Sequence, residues 1–329
     1  MRRALTHLPL LIAVAALVAM TESVAHEGPE VDIQELTDAI KATGETADLL
    51  LQRAIEYRVL GKMSEALRDL EEAARLESYG LPISRELAKV QFGLGKTNEA
   101  IDTVTKAVGG KSLEATDRAN LLILRSGFYQ ARSEYKKSIE DANQAIQLYD
   151  LNPEWYLQRS ALQLAANLPK ERLAGIEAGI GRTGAGVLDV EKIEALLDDK
   201  QFSAALPLID KEIESSRIRS SWLIRRAKAH FGLGSNDRAR ADLKEAFDEI
   251  QPRIQLAAPD VSLLIDRATI HELLGEKELA RTSYELARDA GAEAWVKEKI
   301  KTLKAEIDKE HAAATSKKSA EAQRSPEQK

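Results

Sequence analysis

The residues whose types and spacing bear on chemistry are three glycine runs, five histidines and a set of arginine–acid and lysine–phenylalanine intervals. Gly179-Ile180-Gly181-Arg182-Thr183-Gly184 has the outline of a dinucleotide-binding turn. That turn works after a β-strand, where the next helix presents its N-terminus to a pyrophosphate. Here the preceding Leu173–Ile180 has helical periodicity, so the glycines read as a turn between helix pairs. Gly95-Lys96-Thr97 and Gly110-Lys111-Ser112 end as a phosphate-binding loop would, but Val90 and Thr105 stand where its first glycine belongs. There is no cysteine, and His26, His230, His271 and His311 are scattered without metal-ligand spacing. No Ser/His/Asp set assembles. His26, if it becomes a mature N-terminus, offers an amine and an imidazole that suit Cu(II); a single first-position histidine is more often incidental. The reading is of a non-enzyme with no cofactor and no metal site.

The remaining charged residues recur at intervals. An arginine stands sixteen residues before an aspartate in Arg53/Asp69, Arg125/Asp141 and Arg226/Asp242, and where the arginine is replaced, at Leu87, the acid is replaced too, at Thr103. This co-occurrence predicts ion pairs joining the two helices of a hairpin and fixing their register. Arg159 and Arg267 hold the same arginine place, and Glu177 is the acid matching Arg159 if one residue is inserted near Leu168-Pro169. A second duplication is Lys89/Phe92 and Lys228/Phe231, with Arg85 one turn before Lys89. A cation beside an aromatic suits a peptide carrying acidic and apolar side chains, although a phenylalanine there also fills space between helices. Acids nearer Glu194, Asp198 and Glu272 make the surface non-uniform. Arg217, Arg219 and Arg225 read as a solvated face.

These residues sit on a repeating frame. Around Gly61 it has Ala54 seven before, Ala66 five after and Ala73 twelve after. The frame returns as Ala88/Gly95/Ala100/Ala107, Ala227/Gly234/Ala239/Ala246 and Ala268/Gly275/Ala280/Ala287, and more loosely around Ser133 and Lys200. Two of the spacings are 34 residues, a period diagnostic of a repeat architecture. Apolar residues at three- and four-residue steps turn one helix face inward. Facing small residues let antiparallel helices approach to about 8–10 Å. Gly95, Gly234 and Gly275 supply the left-handed residue ending a first helix, and Thr97 or Asn98, and Ser235 or Asn236, are expected to cap the second.

The four good copies resemble the tetratricopeptide repeat over about residues 47–291; the segments Trp155–Gly181 and Gly186–Ser215 depart most from it. The resemblance implies an all-α, right-handed α-solenoid of about seven helix-turn-helix repeats, with a concave groove lined by each first helix that binds peptides or protein segments. It places Arg85, Lys89, Phe92, Lys228 and Phe231 on that groove. The partner class implied is a protein or peptide. A second reading is a structural assembly subunit that uses its convex or terminal faces.

At 329 residues with 44% hydrophobic, 30% charged and 5% aromatic residues, the composition suits a helical array stabilised by neighbour contacts. Residues 1–25 read as a secretory signal: Arg2 and Arg3, an apolar Leu8–Met20, and small residues at Ser23-Val24-Ala25. Its removal takes away Arg2, Arg3 and Glu22, moving the net charge from −6 to −7, and an acidic exported chain is a poor nucleic-acid binder. The expected location is periplasmic or secreted, with no membrane span after cleavage. Residues 26–46 contain a leading helix with Ile33, Leu36, Ala39 and Ile40 on one face. Residues 292–309 form a capping helix with Trp295, Ile300, Leu303 and Ile307 inward, and the tail 310–329 is too polar to fold.

Overall fold

Left-handed residues set where the helices stop. The computed structural model describes residues 28–76, 80–111, 113–255 and 257–323, so the signal at 1–25 and His26 lie outside the described residues, as does the end of the tail. Positive φ occurs at the centre of each copy: Gly61 (73°), Gly95 (76°), Ser133 (58°), Asn167 (56°), Lys200 (58°), Gly234 (75°) and Gly275 (82°). Six of these seven turns, all but that at Asn167, share one hydrogen bond, from the next amide back to the carbonyl five residues earlier, as in Lys62 N to Tyr57 O, Lys96 N to Gln91 O and Ser235 N to His230 O, each 2.8 Å. This turn delivers Lys96 and Ser235 to the next helix at φ −83°, ψ 57° and φ −84°, ψ 59°. Those angles are not the extended ones from which a side chain reaches back to the first amides, so the helices that start at Thr97 and Asn236 begin without the side-chain caps expected of Thr97, Asn98, Ser235 and Asn236.

Sixteen helices result among the described residues, and the chain divides into two units after Asn167. The first unit contains α1 (Pro29–Thr43), then the hairpins α2 (Ala47–Val59)/α3 (Met63–Leu76), α4 (Leu81–Gly93)/α5 (Thr97–Val108) and α6 (Ala115–Ala131)/α7 (Tyr135–Leu148), and α8 (Pro153–Ala165). The second contains α9 (Pro169–Thr183), the hairpins α10 (Val187–Asp198)/α11 (Phe202–Ser215), α12 (Ser220–Gly232)/α13 (Asn236–Ile250) and α14 (Val261–Leu273)/α15 (Lys277–Asp289), and α16 (Ala294–Gln323). The fold class is an all-α solenoid of helix-turn-helix repeats.

The small residues of the frame are where the helices meet: Ala54, Ala66, Ala73, Ala88, Ala100, Ala227, Ala239, Ala246, Ala268, Ala280 and Ala287 are all fully buried. In the serine copy, Ser126 Oγ donates to the Ser138 carbonyl at 2.9 Å and Ser138 Oγ to the Ser126 carbonyl at 2.6 Å, so neither hydroxyl is left unpaired in the core.

Three expectations change. Asn167 is itself the left-handed residue of its copy, so no residue is inserted near Leu168-Pro169; asparagine tolerates that conformation better than most. Arg172, not Ala174, then holds the place five after the turn, and Gly175, not Glu177, the place eight after. Val296, Leu303 and Ile307 form the buried stripe of α16 with Ile300 partly buried, whereas Trp295 is 46% exposed, because it stands one residue outside that three- and four-step stripe. Finally, α16 does not stop at Lys309 but continues to Gln323. Ala312-Ala313-Ala314 and the Lys, Ala, Glu and Gln among the residues beyond them are strong helix formers, although residues 308–316 are all exposed.

Candidate functional site

The expected ion pairs form a ladder inside the hairpins. Arg53 donates Nε and Nη2 to both carboxylate oxygens of Asp69 at 2.7 and 2.8 Å. Arg125 does the same to Asp141 at 2.7 Å twice, and Arg226 to Asp242 at 3.0 and 2.7 Å. Each guanidinium is held protonated by its aspartate, which outweighs the opposing effect of burial. The third nitrogen reaches the preceding second helix: Arg53 Nη1 to Thr37 Oγ1 at 3.2 Å, Arg125 Nη1 to Thr105 Oγ1 at 2.9 Å, Arg226 Nη1 to Asp210 Oδ1 at 2.9 Å, and Arg159 Nη1 to Asn143 Oδ1 at 3.0 Å. Lys192 Nζ occupies the same register against Glu177 at 2.8 Å. Thus each cation ties its own hairpin to the one before it. Arg267 meets Ser283 instead of an acid, at 3.1 Å, and burial lowers its pKa.

A basic face on the first helices of the first unit is not what the structure contains. Glu86, almost fully buried, accepts from Lys89 Nζ at 2.7 Å and from Arg58 Nε at 2.9 Å, with Arg85 Nε 3.6 Å away. Burial pushes the Glu86 carboxyl up, and Lys89 and Arg58 together overcome this and hold it below its ordinary value. Lys89 is therefore a counter-ion rather than a free cation. Arg85 remains about half exposed. Phe92 is 37% exposed and stacks on the buried Phe128 of α6, ring centroids 4.8 Å apart and 27° between planes. α4 and α6 thus present a supported aromatic surface beside a cluster carrying three cations and one carboxylate.

The corresponding face of the second unit differs. Lys228 is exposed, but Phe231 is only partly so, packed against the cluster of Leu223, Ile224, Leu263 and Ile270; it fills space between helices. Arg225 donates to Glu194 Oε1 at 2.6 Å and lies over the Trp222 ring at 5.0 Å. Asp266 on α14 is half-buried, and burial pushes its carboxyl up to about 6 against the lowering influence of Arg225 and Lys228. Asp198 meets Arg172 at 2.6 Å, and Glu272 meets Lys299 at 2.7 Å.

Sequence reading missed Glu86 and Arg172. The interval Glu86/Lys89 was the available signal for the first. Arg172 is 4% exposed at a place that otherwise holds alanine or serine, and Glu191 and Asp198 compensate it at 2.7 and 2.6 Å. The glycine run at 179–184 lies in the last turns of α9, where only Gly184 is left-handed, with no strand before it. Among the described residues no cluster of three or more His, Cys, Asp or Glu is arranged to hold a metal ion, and no helix is long and apolar enough to cross a membrane.

The chain matches no family model and no curated protein sequence. Among solved structures it is similar to a tetratricopeptide repeat protein from Parabacteroides merdae, with a TM-score of 0.57 and 19% identity, over 78% of this chain and 98% of that one. The APC/C hetero-tetramer Cut9–Hcn1 is a more distant neighbour, with a TM-score of 0.48 and 14% identity over 84% of this chain and 46% of that one. The fold is that of the tetratricopeptide repeat.

Proposed function

We propose that the protein is a non-catalytic scaffold that holds a protein or peptide segment on the first-helix face of its first unit. The observation that supports this is Phe92, an exposed aromatic ring backed by buried Phe128 and bordered by Arg85. A partner segment would place an apolar side chain on Phe92 and an acidic one near Arg85, whose half-exposed guanidinium is the more available cation there. Lys89 acts indirectly by holding Glu86. The segment 1–25 is proposed to export the chain to a periplasm or the exterior, with His26 as the first mature residue.

The test is capture of partners from the native exported fraction by the mature protein and by Arg85→Glu/Phe92→Ala of unchanged helicity. Loss of a partner supports this face. A partner retained by the variant would favour the structural-assembly reading, with convex or terminal faces in contact. Mass spectrometry of the natively expressed protein checks export: a mature form starting elsewhere than His26 contradicts the cleavage site.

A further inference from the structure

At one junction of the ladder the arginine is missing and its place is open. The register holds at four other junctions, where a cation eight residues before the left-handed turn reaches a polar side chain ten residues after the previous turn: Arg125/Thr105, Arg159/Asn143, Lys192/Glu177 and Arg226/Asp210; at the last junction Lys244 stands ten after Gly234, and Arg267 meets Ser283 instead. In the second copy that place is Leu87, and the residue it should reach is Glu71. Between them is a cleft of about 340 Å³ lined by Glu71, Ala74, Leu87, Gln91, Glu99, Asp102, Thr103 and Lys106. Thr103 occupies the place that holds Asp69, Asp141 and Asp242 in the sister copies, and it donates to Gln91 Oε1 at 2.8 Å. The lining carries three carboxylates and one ammonium. Glu71, Glu99 and Asp102 are exposed and have no hydrogen-bond or ion-pair partner among the described residues.

We propose that this cleft is a docking pocket for a guanidinium, the arginine side chain of a partner protein, which would complete in trans the clamp that the sister junctions complete in cis. The floor is formed by Leu87 and Ala74, which suit the aliphatic stem of an arginine. Glu71 is placed to accept from one edge of the planar fork as Asp210 does from Arg226, and Glu99 and Asp102 raise the local concentration of a cation. An ammonium matches less well, because it lacks the paired, coplanar donors the register accommodates. This contact involves Glu71 of a second helix and so is separate from the surface around Phe92; its outcome does not depend on the reading given there.

The experiment is a titration of the isotope-labelled mature protein with N-acetylarginine amide, followed by amide chemical shifts, with N-acetyllysine amide and urea at equal concentration and ionic strength. The expected result is saturable shifts confined to the ends of α3, α4 and α5 that face Glu71, Gln91 and Thr103, several-fold weaker with the lysine probe and absent with urea. Glu71→Gln, an exposed substitution without folding risk, should weaken binding about three- to tenfold. Leu87→Arg/Thr103→Asp should abolish it by filling the cleft from within. Equal shifts from both cationic probes, shifts spread over other acidic surfaces such as Asp32 and Glu35, or binding unchanged by Glu71→Gln would overturn the proposal. Should the double variant fail to fold, the Glu71→Gln and lysine comparisons decide alone.

Discussion

Replacing Arg125 by leucine and Asp141 by threonine copies into the third hairpin what the second already carries at Leu87 and Thr103. In the structure the Arg125 side chain is 14% exposed and that of Asp141 is 4% exposed. Arg125→Leu alone leaves a carboxylate buried without its bidentate partner, which costs about 3–4 kcal/mol. Asp141→Thr alone leaves the guanidinium with Thr105 Oγ1 and the Tyr129 ring at 5.9 Å and a short path to water, a cost of about 1–2 kcal/mol. Independent effects would sum to about 5 kcal/mol. Because the double variant strands no charge, it should cost only about 2 kcal/mol, mostly for the lost link to Thr105 and for a threonine facing Tyr129 where the natural copy offers Gln91. The coupling is thus about 3 kcal/mol. Urea unfolding of the four proteins, with unchanged m-values, measures it. A double variant costing as much as the sum of the singles would refute the view that these residues act as one clamp.

Gly232→Ala would place a Cβ 2.1 Å from Cε2 of Phe202; overpacking of about 1–3 kcal/mol should outweigh the helix gain of about 1 kcal/mol and lower the midpoint of thermal unfolding, whereas Gly93→Ala meets only the flexible Met63 tip at 3.3 Å and should be neutral or slightly stabilising by the same measurement. The folded Asp266 carboxyl titrates near 6, above its unfolded value of 3.8, mainly through burial; between these values the folded state binds more protons, so its penalty is absent near pH 4 and complete above about pH 6. Asp266→Asn should therefore stabilise the protein at pH 8 by up to about 3 kcal/mol and leave it unchanged at pH 4, measured by urea midpoints against pH. Glu86 is shifted the other way, with Lys89 and Arg58 overcoming burial, so its contribution is present above about pH 4.5 and disappears as the pH falls through its lowered folded value. Glu86→Gln should abolish that acid-side loss while destabilising the neutral protein, by about 2 kcal/mol for three cations left around a neutral amide.

The repeat frame was legible because glycine at the left-handed turn and alanine at the helix crossing are each demanded by backbone geometry. The ion-pair ladder was legible because its partners lie at one fixed interval inside a hairpin. Asn167 was missed since asparagine resembles many loop residues and Arg172, a buried charge at an alanine place, hid the frame after it. Lys89 was misread for a different reason. Helical spacing says which face a side chain is on, but Glu86 takes Lys89 from the buried side and is itself held by Arg58, 28 residues earlier. The identical Phe-Gly-Leu-Gly endings likewise conceal unlike surroundings: Phe92 rests on Phe128 at the surface, while Phe231 is packed into a core cluster with Ile270. Neither neighbour lies within the motif, so the motif alone could not separate a surface ring from a core one.

The most direct measurement of the scaffold reading is photo-crosslinking in the native host from benzoylphenylalanine installed at Phe92, with Leu148, an exposed residue of the second helix α7, as the comparison site. A discrete crosslinked protein from the first site that disappears with Arg85→Glu, and is absent from the second site, is the predicted result. Crosslinks of equal yield from both sites, or a Phe92 product indifferent to Arg85, would contradict it.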